Sequence, residues 1–197
     1  MNSILKNQLF ENNPILRNIL GICPLLAVTN LMENALVMGI ALIFVTSMSE
    51  FTVSCLRRYA DKHIRMLVQV LVIAWYVILV DIVLKYYIPD ISKALGAYVG
   101  LIITNCIIMG RCEAYAQHNS PFKSFLDGVA SGLSFSLVIL FIAFIRELLG
   151  FGTIFRIRVL GSWWTNWSIM SMPAGAFFVI GLLIFLYNKM KRRVDHG

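Results

Sequence analysis

Two cysteines are the residues of this chain whose type and surroundings point to metal chemistry. Cys23 lies in an apolar segment between Gly21 and Pro24, and Cys106 follows Asn105 in a second apolar segment. Proline removes a backbone hydrogen-bond donor and asparagine is costly to expose to lipid, so we expect a membrane helix to be irregular at both places. A thiolate there would be a soft metal ligand, and the alternative is that each cysteine packs as a small apolar residue.

The number of thiols limits what the pair can bind. Structural zinc and iron–sulfur sites commonly take four protein ligands, and Cys23 and Cys106 supply only two. Any cluster would therefore take its other ligands from another chain or from a second copy. The remaining cysteines, Cys55 and Cys112, have no counterpart in the other half of the chain and are interpreted as structural.

Charged residues within apolar runs are the other candidates. Glu50 has no evident local partner in the sequence, and Asp81 lies four residues before Lys85. An intramembrane charge is by default a functional hypothesis, so Glu50 and Asp81 are candidates for an ion path. For Asp81 the alternative is an ion pair with Lys85. Arg146 and Glu147 are weaker candidates, because snorkelling to the interface or pairing explains them as well.

The composition indicates an integral membrane protein. Of the 197 residues, 59% are apolar and 14% are charged, against about a quarter charged in soluble domains. The mean hydropathy is +0.78. The net charge of +7 does not indicate nucleic-acid binding, because the basic residues gather between the apolar runs. No glycine-rich nucleotide loop occurs, so no NADH or flavin site is expected on this chain.

Six apolar runs are predicted to cross the membrane as helices, which makes the fold class all-α integral membrane. They cover residues 15–30, 35–56, 66–87, 95–110, 129–149 and 169–187. The first and fourth runs are short and broken, which predicts an inverted 3+3 repeat within a single membrane domain, 1–197. Repeat one covers about 12–88 and repeat two about 92–190. Twelve of the 17 Lys and Arg residues fall on the side of the termini, which predicts that both termini are cytoplasmic.

Four segments resemble a known family of bacterial membrane proteins. They are GICPLLAVTN, VGLIITNCIIMGR, the DISK segment from Asp90 to Lys93, and FIRELLGFGT from Phe144 to Thr153. They resemble the D-type subunits of Na+-translocating NADH:quinone reductases, which are related to the E-type subunits of the Rnf ferredoxin:NAD oxidoreductase. The resemblance covers essentially the whole chain, and the three residues at 99–101 resemble the quinone reductase branch more than the Rnf branch.

The resemblance implies a cofactor, partners and a location. In the quinone reductase of that family, the D-type subunit and a separate E-type subunit of the same complex are homologous six-helix proteins inserted in opposite senses. Each contributes two cysteines to one intramembrane iron–sulfur cluster, expected to be [2Fe-2S]. Carried onto this chain, the ligands are Cys23 and Cys106. The cluster would relay electrons from the NADH-oxidising flavoprotein side towards a periplasmic covalent flavin, coupled to sodium export across the bacterial inner membrane. The expected partners are the homologous E-type subunit, the remaining subunits of the complex and lipid.

Three alternatives remain at this point. The first is an E-type subunit of the Rnf complex, which shares the same segments. The second is a secondary transporter, since an inverted repeat with two broken helices is the usual signature of that class. The third is a membrane scaffold without a cofactor. The iron content of the purified complex separates the iron–sulfur hypotheses from the other two.

Overall fold

The computed structural model describes residues 21–29, 31–57, 59, 61, 64–87, 89, 96, 98, 100–150, 153–154, 157–158 and 172–195. The helices bounded within these residues are α1 (Ile22–Val28), α2 (Met32–Leu56), α3 (Arg65–Tyr87), α4 (Cys106–Arg111), α5 (Pro121–Gly150) and α6 (Pro173–Asp195). A π-helical turn, Cys112–Ala116, follows α4. An antiparallel pair of two-residue strands, β1 (Thr153–Ile154) and β2 (Ile157–Arg158), lies between α5 and α6.

Three of these helices, α2, α3 and α5, are long and apolar enough to cross a membrane, and α6 contains a shorter apolar stretch, Ala174–Lys189. The structure therefore confirms a helical membrane protein, with α2 and α3 starting within three residues of their predicted positions. The short hairpin is the one departure from the all-α prediction among the described residues.

The fifth predicted span begins eight residues too late, because α5 starts at Pro121 and not at 129. Proline suits this first helical position, where an N–H would have had no partner within the helix. The next turn closes with a hydrogen bond from the Ser124 amide to the Ser120 carbonyl at 3.0 Å. Lys123 and Asp127 lie in this added segment, and their charges made it resemble a loop in the sequence.

The helices α2 and α5 form the centre of the structure, and glycines let their backbones approach closely. A Cβ atom added at Gly128 would lie 2.7 Å from the Cα atom of Ser47, and one added at Gly132 would lie 2.9 Å from the Cα atom of Ile43. Small residues at such interfaces are typical of membrane helices, whose association depends on close packing because lipid is as apolar as leucine.

Large apolar side chains of these two helices point outwards. On α2, Ile40 is 62% exposed while Ser49 is fully buried, and on α5, Phe141 is 54% exposed while Ser131 is fully buried. This arrangement is the reverse of a soluble protein and fits a surface covered by lipid. The polar face of each helix is therefore the packed face.

Hydroxyl groups on the packed faces are satisfied by carbonyl groups. Thr46 donates to the carbonyl of Leu42 in its own helix at 2.6 Å. Ser136 on α5 donates across the interface to the carbonyl of Gly39 on α2 at 2.9 Å. Such bonds remove the penalty of burying the hydroxyls and fix the register of α5 against α2.

The two predicted short spans correspond to the shortest helices, since α1 has seven residues and α4 has six. Residues 100–103 are helical, Thr104 is in a turn, and α4 begins after Asn105. The beginning of the first predicted span, most of 88–99 and the segment 159–171 lie outside the described residues. The inverted repeat stays a prediction.

Candidate functional site

The helix that carries Cys23 begins at a glycine that no other residue could replace without strain. Gly21 precedes α1 with φ 81° and ψ 25°, in the left-handed region. A Cβ atom there would lie 2.6 Å from Cδ1 of Ile107 and 2.8 Å from Cε2 of Phe135. Pro24 lies within the first turn of α1, where its missing N–H breaks no intrahelical bond. The irregularity therefore falls before Cys23, and Cys23 itself is helical.

The helix that carries Cys106 begins with a side-chain cap. Asn105 precedes α4 in an extended conformation, and its Oδ1 accepts a hydrogen bond from the amide of Ile107 at 3.0 Å. The Asn105 side chain is 1% exposed, so this bond offsets the penalty of burying an amide oxygen. Asn105 therefore caps α4 at the place where the sequence predicts an irregular helix.

The two cysteines lie in the first turns of helices whose beginnings are in contact. Gly21 packs against Ile107, the neighbour of Cys106, so the chain brings the starts of α1 and α4 together. Both Cys23 and Cys106 are exposed. Within this chain alone, neither thiol is packed into the core.

The donor set fits half of a four-ligand cluster. Within the described part of the chain, no group of three or more His, Cys, Asp or Glu side chains could hold a metal ion. Two accessible thiols near the meeting point of α1 and α4 are what a cluster shared with another chain requires, since a four-thiolate site needs two further ligands.

The other two cysteines differ from this pair. Cys112, just beyond α4, is fully buried, and this burial, with the nearby charges of Glu50 and Glu113, raises the pKa of its thiol. A thiol held protonated in this way is a poor ligand and a poor nucleophile. Cys55 is exposed at the end of α2 and lies far in sequence from both Cys23 and Cys106.

A buried arginine fixes the far end of the helix that carries Cys23. Arg146 on α5 is 2% exposed and donates through Nη1 to the hydroxyl of Thr29, which ends α1. Thr29 in turn donates to the carbonyl of Leu25 at 2.7 Å. Nη2 of Arg146 donates to the carbonyl of Met172, just before α6, at 3.0 Å. The interpretation that Arg146 snorkels to the interface is wrong, because the side chain is enclosed.

The neighbouring Glu147 supports the same end of the bundle. It is 1% exposed, and its Oε2 accepts a hydrogen bond from the amide of Met32 at 2.8 Å. This amide is the first of α2 and has no partner within its helix, so a carboxylate there satisfies the group and suits the positive helix end. Arg146 and Glu147 thus join α1, α2 and α6 to α5.

Asp81 forms the ion pair that was its alternative interpretation. Its Oδ2 lies 2.6 Å from Nζ of Lys85, one turn later on α3. The Lys85 side chain is 64% exposed and that of Asp81 is 24% exposed. The structure does not bring Asp81 together with Glu50 in any contact that would support a shared ion path.

Glu50 belongs to a buried polar cluster that was not evident from the sequence. Its side chain is fully buried, and so is that of Asp127 on the facing helix α5, which is 1% exposed. Nε of Arg111 donates to Oδ2 of Asp127 at 3.0 Å, and Nη2 of Arg111 bonds the same oxygen. Asp127 shares a helical face with Gly128 and Ser131, and this spacing beside small residues was the available signal for its burial.

Comparisons with known proteins match this chain along almost its whole length. A family model described as "Rnf-Nqr subunit, membrane protein" matches residues 1–184. The chain is 45% identical over 193 residues to the D-type subunit of the Na(+)-translocating NADH-quinone reductase of Yersinia enterocolitica serotype O:8, and the match covers 95% of this chain and 92% of the relative. The proteins of the same name from Yersinia pestis strain Pestoides F and Yersinia pseudotuberculosis serotype O:1b match to the same extent.

Proposed function

This chain belongs to the Rnf-Nqr family of membrane subunits, and from that premise we propose that it is the D-type subunit of a Na+-translocating NADH:quinone reductase. The observation that carries the proposal is the 45% identity, over almost the full length of both chains, to relatives that bear this name. The chain is thus a non-autonomous subunit of an oxidoreductase complex. The Rnf alternative is supported only by the shared family model, which names both complexes.

Cys23 and Cys106 supply two of the four ligands of an iron–sulfur cluster, of the [2Fe-2S] type. The support is that both thiols are exposed and that the helices carrying them begin side by side. When bound, such a cluster accepts and donates single electrons within the membrane. The protein's part is to hold the thiols in place: Gly21 and Asn105 set where α1 and α4 begin.

The two missing sulfur ligands come from the homologous E-type subunit, inserted in the opposite sense. An inverted repeat in each of the two proteins would place its short helices at mid-membrane, where the two proteins meet. The short lengths of α1 and α4 support this arrangement. The other members of the complex carry the NADH, flavin and quinone sites.

The chain resides in the bacterial inner membrane with both termini in the cytoplasm. The support is the charge distribution, in which most basic residues belong to the side of the termini. On the other side lie the beginnings of α2 and α6 and the end of α5, joined by Arg146 and Glu147. Reporter fusions at each terminus and after residue 158 test this orientation.

Replacing Cys106 by Ala in the assembled complex tests the cluster. We expect loss of the intramembrane iron–sulfur signal in electron paramagnetic resonance and loss of quinone reduction, while NADH oxidation by an artificial acceptor persists. Cys23→Ala should behave in the same way. Cys55→Ala is the matched control, since Cys55 is exposed but lies at the C-terminal end of α2, whereas α1, which carries Cys23, precedes the N-terminal end of α2. An unchanged iron content with normal turnover in Cys106→Ala excludes this cysteine as a ligand.

A secondary transporter is the competing class, and the same preparation tests it. That class predicts sodium uptake by vesicles that contain this chain alone. The reductase function predicts no uptake without the other members of the complex. Quinone reduction by NADH, measured on the co-purified complex, distinguishes the quinone reductase from Rnf, since only the former should show it.

A further inference from the structure

The helix α6 has one packed face and one exposed face. The packed face carries Ala176, Val179 and Ile180, which are buried. The opposite face carries large apolar side chains that are 51–77% exposed, namely Phe178, Leu182, Phe185 and Leu186. Their spacing of three and four residues places them on one side of the helix. In a membrane, this exposed face of α6 is covered by lipid or by another protein.

The exposed face of α6 forms one wall of an apolar groove. The groove lies between α5 and α6 and has a volume of about 280 Å³. Apolar side chains of both helices line it, among them Phe141, Ile145, Phe178, Leu182 and Leu186. Since no polar side chain lines this groove, it suits a hydrocarbon chain or the apolar side of another helix.

The exposed face of α6 continues into basic residues at the end of the helix. Lys189 is exposed and lies three residues after Leu186. Arg192 and Arg193 follow Lys189 by three and four residues, and this spacing extends the same face by one more turn. Asp195 is the only acidic residue in the sequence of α6. The apolar face therefore ends in an excess of positive charge.

The length of the exposed face matches the depth of one membrane leaflet. Phe178 lies eleven residues before Lys189, which corresponds to about 16 Å at the rise of an α-helix. Half of the hydrocarbon core of a bilayer is about 15 Å thick. A phosphate group held at Lys189 would therefore place its acyl chains beside the groove, directed towards the middle of the membrane.

We propose that α5 and α6 form a binding site for an anionic phospholipid of the leaflet on the side of the C-terminus. The headgroup phosphate binds at Lys189, Arg192 and Arg193 add positive charge, and an acyl chain fills the groove. Basic residues beside a membrane helix attract anionic lipids in this way. The exposed side of α3 lacks such a charge excess, because Lys85 near its end is paired with Asp81 at 2.6 Å.

Photo-crosslinking in the purified complex that contains this chain tests the site. The probe is phosphatidylglycerol with a diazirine in its acyl chain, in vesicles of phosphatidylcholine, and mass spectrometry locates the labelled peptides. We expect labelling of residues 141–149 and 178–186, and weaker labelling by a phosphatidylcholine probe with the same chain. Lys189→Gln should lower labelling by the anionic probe about five-fold, which is the contribution of one basic residue near an anionic lipid. Lys189→Arg keeps the charge and should keep the labelling.

Lys191→Gln is the matched control for Lys189→Gln. It removes the same charge two residues away, but Lys191 follows Ile180, Ile184 and Tyr187 at helical spacing and so falls on the side of the packed face. Its labelling should equal that of the wild type. Equal losses in the two variants would show only a general attraction of basic residues to the membrane surface and would overturn the proposal. Equal labelling by the two probes, or an unlabelled groove covered by a helix of another subunit, would overturn it as well.

Discussion

Substituting Gly128 with Ala tests whether close backbone approach holds α2 and α5 together. The added Cβ atom would lie 2.7 Å from Cα of Ser47 and 3.1 Å from its amide nitrogen. Carbon atoms pack best at about 3.5–4.0 Å, so the helices would have to separate by roughly 1 Å at this point. Because the opposing atoms belong to the backbone of a helix, a rotamer change cannot relieve the contact.

The expected magnitude is the difference between two effects. Overpacking of this kind costs about 1–3 kcal/mol, and replacing a helical glycine by alanine contributes up to about 1 kcal/mol in the opposite direction. We expect Gly128→Ala to destabilise the protein by about 1–2 kcal/mol net. For a chain of this size the apparent melting temperature should fall by about 2–4 °C per kcal/mol.

The assay is thermal unfolding of the purified protein in one detergent, with three further glycines as a graded series. Gly132→Ala should resemble Gly128→Ala, since its Cβ atom would lie 2.9 Å from a backbone Cα. Gly39→Ala should be milder, because the nearest atoms, at 3.1 and 3.2 Å, belong to the Ser136 side chain. Gly181→Ala is the control, with nothing within 4 Å of the added atom. If Gly128→Ala and Gly181→Ala unfold at the same temperature, the packing argument is wrong.

Two further predictions concern Arg146 and the buried thiol. Arg146→Met should destabilise the chain by about 2–4 kcal/mol, because charge-assisted bonds to Thr29 and the Met172 carbonyl are lost. Arg146→Lys should recover part of the lost stability, which thermal unfolding of the two variants measures. Equal stability of the wild type and Arg146→Met would contradict the role of Arg146 in holding α1 and α6 to α5. Cys112 should resist maleimide labelling from neutral to mildly alkaline pH while Cys55 reacts, because Cys112 is buried and the pKa of its thiol is raised. Mass spectrometry of the labelled peptides measures the extent of reaction at each cysteine. Rapid labelling of Cys112 would count against its burial.

The sequence was sufficient for the long helices because their boundaries depend on local signals. The spans corresponding to α2 and α3 are continuous apolar runs between basic loops, and their predicted ends agree with the structure at Leu56 and Tyr87. The same reasoning missed the first two turns of α5, where Asp127 gave a polar appearance. Its charge is compensated by Arg111, sixteen residues earlier, and local patterns do not report such a contact.

In the candidate site too, local features were predictable from the sequence and tertiary contacts were not. The cysteines and Asn105 were recognisable from residue type and neighbours. The left-handed conformation of Gly21 against Ile107 and Phe135 could not be predicted from the sequence, because it depends on three segments that meet only in the folded chain. Glu50 was identified as a charge within an apolar run in need of explanation, but the burial of Asp127 on the facing helix α5 was found only through the tertiary structure.

The pairing of α2 with α5 has a consequence for how the protein is made. The packed face of α2 carries serines, Gly39 and Glu50, and it is covered by a helix from the other half of the chain. Between the end of α2 at Leu56 and the end of α5 at Gly150 a ribosome adds about 90 residues, which takes roughly 5–18 s at 5–20 residues per second. During that interval α2 has inserted without its partner. The order of synthesis therefore sets how long this polar face stays without the helix that covers it.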